Sequence, residues 1–129
     1  MPSFLNPLIR NPLLLNRLRN RRNGAILATR IVTAFDSRSR RTGLLKHNSL
    51  PDGEGLVIAP SNGIHTFFMK FPIDVVFVAR DGRVLKTRSN LGPWRVAICW
   101  RAHAVVEIPA GALARSNTAP GDILEVSLD

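Results

Sequence analysis

The sequence predicts a mainly β fold of the β-rich α+β kind, an antiparallel sandwich or partly closed barrel with roughly two or three short helices at its ends. Three observations predict it. About six to eight short apolar runs can be read as strands. Turn signals built on Gly, Pro, Asn and Asp separate them at close spacing. One stretch, residues 63–84, also holds four of the six Phe and a strong hairpin signal at Asp81-Gly82.

The start of the chain is read as outside this fold. Pro7 and Pro12 interrupt any long helix, and Asn11-Pro12 is suited to cap and open a short one over Leu13-Leu14-Leu15 and Leu18. Arg17, Arg19, Arg21 and Arg22 follow the apolar run, the reverse of a signal peptide. Residues 1–24 are therefore taken as a basic N-terminal arm and 25–129 as a single compact β-rich domain. The net charge of +9 supports the division, because residues 1–41 carry +8 of it and the remainder +1. Such an arm could meet a membrane surface or a nucleic acid.

After the Asn23-Gly24 turn, residues 25–34 read as one or two strands. Asp36 or Ser37 caps a short helix through Arg41, Gly43 ends it, and Leu44 and Leu45 dock it on the sheet. Pro51-Asp52-Gly53 marks a polar loop, and residues 56–59 form a strand. From Ile64 to Phe71 both faces are largely apolar, which predicts a strand covered on both sides. Pro72 breaks it, and residues 73–78 are a β-branched strand. A two-residue type I′ turn at Asp81-Gly82 would set Arg80 opposite Arg83, Val78 opposite Leu85 and Val76 opposite Thr87. Residues 94–100 are extended with Val96 and Ile98 on one face, and residues 104–108 form a strand. Pro109-Ala110-Gly111 opens a helix over 112–116, Ala119-Pro120-Gly121-Asp122 is a type II turn, and residues 123–128 are the last strand.

Six short motifs stand in a fixed order: Arg41-Thr42-Gly43-Leu44-Leu45, Gly55-Leu56-Val57-Ile58, His65-Thr66-Phe67-Phe68-Met69, Pro72-Ile73-Asp74-Val75-Val76-Phe77, Glu107-Ile108-Pro109-Ala110-Gly111 and Pro120-Gly121-Asp122. Their order and spacing resemble domain-of-unknown-function family 192 over about residues 25–129. The resemblance implies a small prokaryotic β-rich sandwich-like domain and no defined activity. Many relatives begin with a signal sequence or lipid anchor. The arm departs from that, and no run reaches the length of a membrane span, so a cytoplasmic rather than exported location is expected.

Several side chains are candidates for a site. Lys70 and Asp74 are four apart across Pro72 and could approach over the bend, either as a structural ion pair or to hold a carboxylate, phosphate or sugar hydroxyl. Asp74 could instead accept backbone N–H groups of a turn. His65 beside a carboxylate could serve as a general base, which would make an enzyme of Asp74 with His65 or Lys70. Arg41, inside the family pattern, could pair with Asp74 or Glu107 or hold an anion. The leading expectation is a non-catalytic binding domain for a small anionic or polar ligand or a partner. Its site would be drawn from His65, Met69, Lys70, Asp74, Arg95 and Arg41. Trp94 and Trp100 are expected to cover the core. His47, His65, His103 and Cys99 show no paired ligand spacing, so neither a metal nor a cofactor is expected.

Overall fold

A computed structural model describes residues 3–10, 16–44 and 47–128, with Arg41 and Leu128 by their backbone alone. The elements in order are α1 (Asn6–Arg10), β1 (Asn16–Asn20), β2 (Ile26–Ala28), β3 (Arg30–Ala34), α2 (Ser37–Thr42), β4 (Glu54–Ile58) and β5 (Gly63–His65). They continue with β6 (Ile73–Val78), β7 (Val84–Leu91), β8 (Val96–Ile98), β9 (Ala104–Pro109), α3 (Ala112–Ser116) and β10 (Leu124–Leu128). The architecture is a β-rich α+β sandwich whose sheets stay open.

A five-stranded sheet, β3-β4-β9-β6-β7, forms the middle layer. Its strands pair antiparallel except β3 and β4, which run parallel in a register from Arg30↔Glu54 to Ala34↔Ile58. A parallel pair needs a long crossover, and the connection through α2 supplies it. Asp36 caps α2 by accepting from the Ser39 N–H, and Gly43 closes it, as the sequence predicts. β6 and β9 are buried along their whole length, which explains their nearly unbroken apolar sequences.

One face of this sheet packs against a second sheet, β10-β1-β2, with α1 and α3 at the margins. Leu5, Leu8, Leu18, Leu27 and Leu124 meet Val57, Val76, Val106 and Ile108 there. The other face carries Leu44, Leu56, Ile58, Ile73, Val75, Phe77 and Val105, with Met69, Ile64 and Ala97 lying over them. That side is covered by the α2 region and by a small two-stranded lobe, β5-β8.

The N-terminal arm is a correction. β1 is the middle strand of the second sheet and pairs with β10 from Asn16↔Leu128 to Asn20↔Leu124. Leu5, Leu8 and Leu18 belong to the core. The alternation in Asn16-Arg17-Leu18-Arg19-Asn20 puts Leu18 inside and the arginines outside, the period of a strand rather than a helix. The helix expected from Asn11-Pro12 over Leu13-Leu14-Leu15, and the docking role of Leu45, lie outside the described residues.

Two further expectations change. The hairpin keeps Val76 opposite Thr87, but Val78 faces Val84, because a bulge shifts the register. Among the turn residues only Gly82 has positive φ, and the Gly82 N–H bonds the Ala79 carbonyl. The loop is thus one residue longer than a type I′ turn, with the extra residue absorbed by the bulge. The predicted strand Ile64–Phe71 stops at His65, and Phe67 and Phe68 are exposed.

Candidate functional site

Asp74 is the residue on which the sequence readings converge, and it is only 1% exposed. It stands opposite Ile108 in the β6–β9 ladder, so its side chain enters the face packed against the second sheet. One carboxylate oxygen accepts from the Asn90 N–H at 2.8 Å. The other accepts from Gly111 N–H at 3.0 Å and Leu113 N–H at 2.9 Å, where α3 begins. Both oxygens are thereby used, one on the irregular end of β7 and one on the start of α3, to tie these to β6. Lys70 does not pair with it; Lys70 is exposed and its Nζ donates to Asn48 Oδ1 at 3.0 Å. A charged oxygen with several N–H donors is already well satisfied, so no ion pair is needed to keep Asp74 buried.

Glu107 is one residue before Ile108 on β9, so it projects from the opposite face, across from Leu56 and Val75. It is buried, and its Oε2 has no hydrogen-bond partner among the described residues. Desolvation pushes its carboxyl up from 4.5 to about 7. A buried carboxyl without a donor favours its neutral form in this way.

Glu107 forms part of the wall of a cleft of about 390 Å³. The α2 end contributes Ser37, Arg40, Thr42 and Gly43; Ser61 and Gly63 come from the approach to β5; Leu44, Ile58, Ile64 and Met69 make an apolar side. Arg40 is fixed by its guanidinium donating to the Phe35 carbonyl at 2.7 Å and to Ser37 Oγ at 3.3 Å. No carboxylate lies within ion-pair distance of it among the described residues. The cleft therefore offers a fixed cation, a titratable acid and hydroxyls beside an apolar wall, the composition of a small-molecule site.

The predicted residues separate. His65 and Met69 line this cleft. Asp74 is on the other side of the sheet, so the Asp74–His65 and Asp74–Lys70 acid–base pairs are not assembled. Arg95 is exposed; its backbone N–H bonds Thr66 Oγ1, and its side chain does not line the cleft. The backbone of Arg41 lies within α2, while its side chain is outside the described residues. Trp94 and Trp100 are 57% and 81% exposed and do not cover the core. No group of three or more His, Cys, Asp or Glu suited to a metal occurs among the described residues, and no helix there is long and apolar enough to cross a membrane.

Two residues outside the expected site set now matter, Glu107 being expected only as a partner for Arg41. Glu107 is a lone acid in the apolar run Ala104–Ile108, and Arg40 sits one turn inside a capped helix. The first has a legible signal, since a charge amid a buried strand demands an explanation.

The family model for domain-of-unknown-function family 192, described as "Uncharacterized ACR", matches residues 18–126. A crystal structure of a protein of unknown function from Novosphingobium aromaticivorans DSM 12444 is similar, with TM-score 0.73 and 26% identity over 85% of this chain and 82% of that one. So is the structure of a candidate transcription regulator from Sinorhizobium meliloti 1021, with TM-score 0.75 and 24% identity over 86% and 91%. No curated protein matches the chain.

Proposed function

The chain belongs to domain-of-unknown-function family 192, and we propose that it is a binding domain for a small polar ligand held in the Glu107 cleft. The observation that carries this reading is the unpartnered Oε2 of Glu107, buried at the edge of an open cavity. A buried polar atom without a partner costs stability, and native structures keep few of them without a use.

The chemistry defines the ligand class. Below about pH 7 the Glu107 carboxyl carries its proton and can donate; above it the carboxylate accepts from an amine or hydroxyl. Arg40, held in place by Phe35 and Ser37, is suited to a carboxylate or another anionic group. A small zwitterion or a hydroxy acid satisfies both ends.

Thermal unfolding in the presence of a panel of amino acids and short hydroxy acids tests the proposal. At least one compound is expected to raise the Tm of the native chain, with the gain lost in Glu107→Gln and reduced in Arg40→Ser. The reading is overturned if no compound raises the Tm of the native chain, or if every gain survives in Glu107→Gln.

A further inference from the structure

The β5–β8 lobe ends in an exposed apolar knob that the cleft does not use. Phe68 is 70% exposed, Phe67 and Trp94 are exposed at the same end of the ladder, and Val96, Ile98 and Trp100 are exposed along β8 and just past it. The rings form a row: His65 to Phe67 at 5.1 Å, Phe67 to Trp94 at 5.6 Å and Trp94 to Phe68 at 4.7 Å. An apolar patch of this kind on a small domain marks a contact with something else.

The backbone holds the knob outward. Phe68 has φ +66° and Trp94 φ +64°, the left-handed region that bulky side chains rarely enter. Buried Thr66 fixes both. Its carbonyl accepts from the Trp94 and Met69 N–H groups, and its N–H donates to the Arg95 carbonyl. Its hydroxyl donates to the Gly92 carbonyl at 2.6 Å and accepts from the Arg95 N–H at 2.9 Å. Strain kept in place by so many bonds is typical of a segment used for contact.

Charge identifies the partner. Residues 62–73 and 82–106 contain no acid, while Lys70, Arg95 and Arg101 are exposed among them. None of these three has an ion-pair partner among the described residues. We propose that this lobe docks on an anionic lipid bilayer, seating Phe67, Phe68 and Trp94 at the headgroup boundary with the cations against lipid phosphates. Aromatic side chains in an apolar knob carried by acid-free, basic stretches of chain have the composition of an interfacial anchor. A single-stranded nucleic acid fits less well. Its bases need open ring faces, whereas these rings pack on one another.

The test sediments the full chain with sucrose-loaded vesicles of phosphatidylcholine, with and without phosphatidylglycerol. Binding to the anionic vesicles is expected to be tighter by about tenfold or more. In a Trp100→Phe chain, the Trp94 emission is expected to shift to the blue and become shielded from acrylamide. Because a chain of charge +9 could adhere by charge alone, the deciding variant is Phe68→Asn with Trp94→Asn. It leaves the charge intact, and asparagine tolerates positive φ. This variant is expected to keep or raise the Tm while losing about tenfold or more in vesicle binding. Three results overturn the proposal: retained binding by the double variant, an unmoved Trp94 emission, or binding to oligothymidylate with none to vesicles.

Discussion

The two faces of the five-stranded sheet receive the same kind of problem and answer it differently. On one face Asp74 is buried with three N–H donors on its oxygens, beneath a second sheet. On the other, Glu107 is buried with an oxygen that has none among the described residues, beside a cleft. The two are neighbours across the β6–β9 ladder, so sheet position does not separate them; parity along the strand does. The first face is sealed by structure from both ends of the chain. The second is covered by α2 and a small lobe, and beside them a cleft stays open at Glu107. A closed face with satisfied polar groups reads as architecture, and an open one with an unsatisfied acid reads as a site.

The contrast is broken most completely by uncovering the sealed face. Removing residues 1–24 takes away β1 and the buried Leu5, Leu8 and Leu18. The fragment is expected to lose cooperative urea unfolding altogether, because β10 and β2 then have no strand between them. A fragment that still melts cooperatively would show that the second sheet is dispensable. At the level of single side chains, Asp74→Ala leaves three N–H groups inside without their acceptor, and a loss of about 3–5 kcal/mol is expected. Lys70→Met, on an exposed side chain bonded to Asn48, should change stability by no more than about 0.5 kcal/mol. If the two substitutions cost the same, the separation of Lys70 from Asp74 is wrong.

The seam between the two sheets offers a sharper probe. Gly82 has φ +97°, and a Cβ placed there would come 2.3 Å from the Leu124 carbonyl oxygen of β10. Gly53 also has positive φ, but its nearest neighbour is the Thr29 side chain at 3.0 Å, which can turn aside. Both substitutions to Val carry backbone strain, and only Gly82→Val must also push a strand off the sheet. It is expected to cost about 3–4 kcal/mol, against about 1–2 for Gly53→Val, in parallel urea titrations. Equal midpoints would mean that the hairpin tip is not seated on β10.

Much of this was legible because it is local. The Asp36 cap and Gly43 end of α2, the run of α3 from Ala112 to Ser116 and the turn with Gly121 at φ +96° depend on neighbours a few residues apart. β1 was not legible as part of the fold, because its partner β10 lies at the far end of the chain and its arginines suggested a solvated arm. The Phe67-Phe68 pair read as core because periodicity registers apolarity and cannot register that Thr66 ties the chain into a strained turn. The sequence allows Asp74 to accept backbone N–H groups of a turn as one of several roles. Which donors it takes depends on the meeting of the end of β7 and the start of α3 in space. Glu107 could have been suspected from its apolar neighbours, but its lack of a partner is a fact of three dimensions.

The smallest expected effect is the one that tests the open face most directly. Glu107 binds its proton up to about pH 7 when folded and to about 4.5 when unfolded. Between those values the folded state holds more protons, so stability falls as pH rises through the window and stays lower above it. At about 1.4 kcal/mol per unit the full window corresponds to about 3 kcal/mol, and water entering the cleft would reduce that to about 1–3. Asp122 acts in the other direction. The Arg22 hydrogen bonds, with Ala119 and Asn20, hold its carboxyl well below its usual range, so its contribution is lost as pH falls below about 4. His103, held below its usual range by burial and by Arg80, also loses stability as pH falls below about 6.5 and so opposes Glu107, which makes the difference between the native chain and Glu107→Gln the quantity to read. Glu107→Gln carries no proton to lose. It should match the native chain near about pH 4.5, exceed it near about pH 8, and keep the loss on the acid side. If the native chain and Glu107→Gln show the same slope from mild acid to neutrality, Glu107 has a partner in solution and the two faces of the sheet are alike after all.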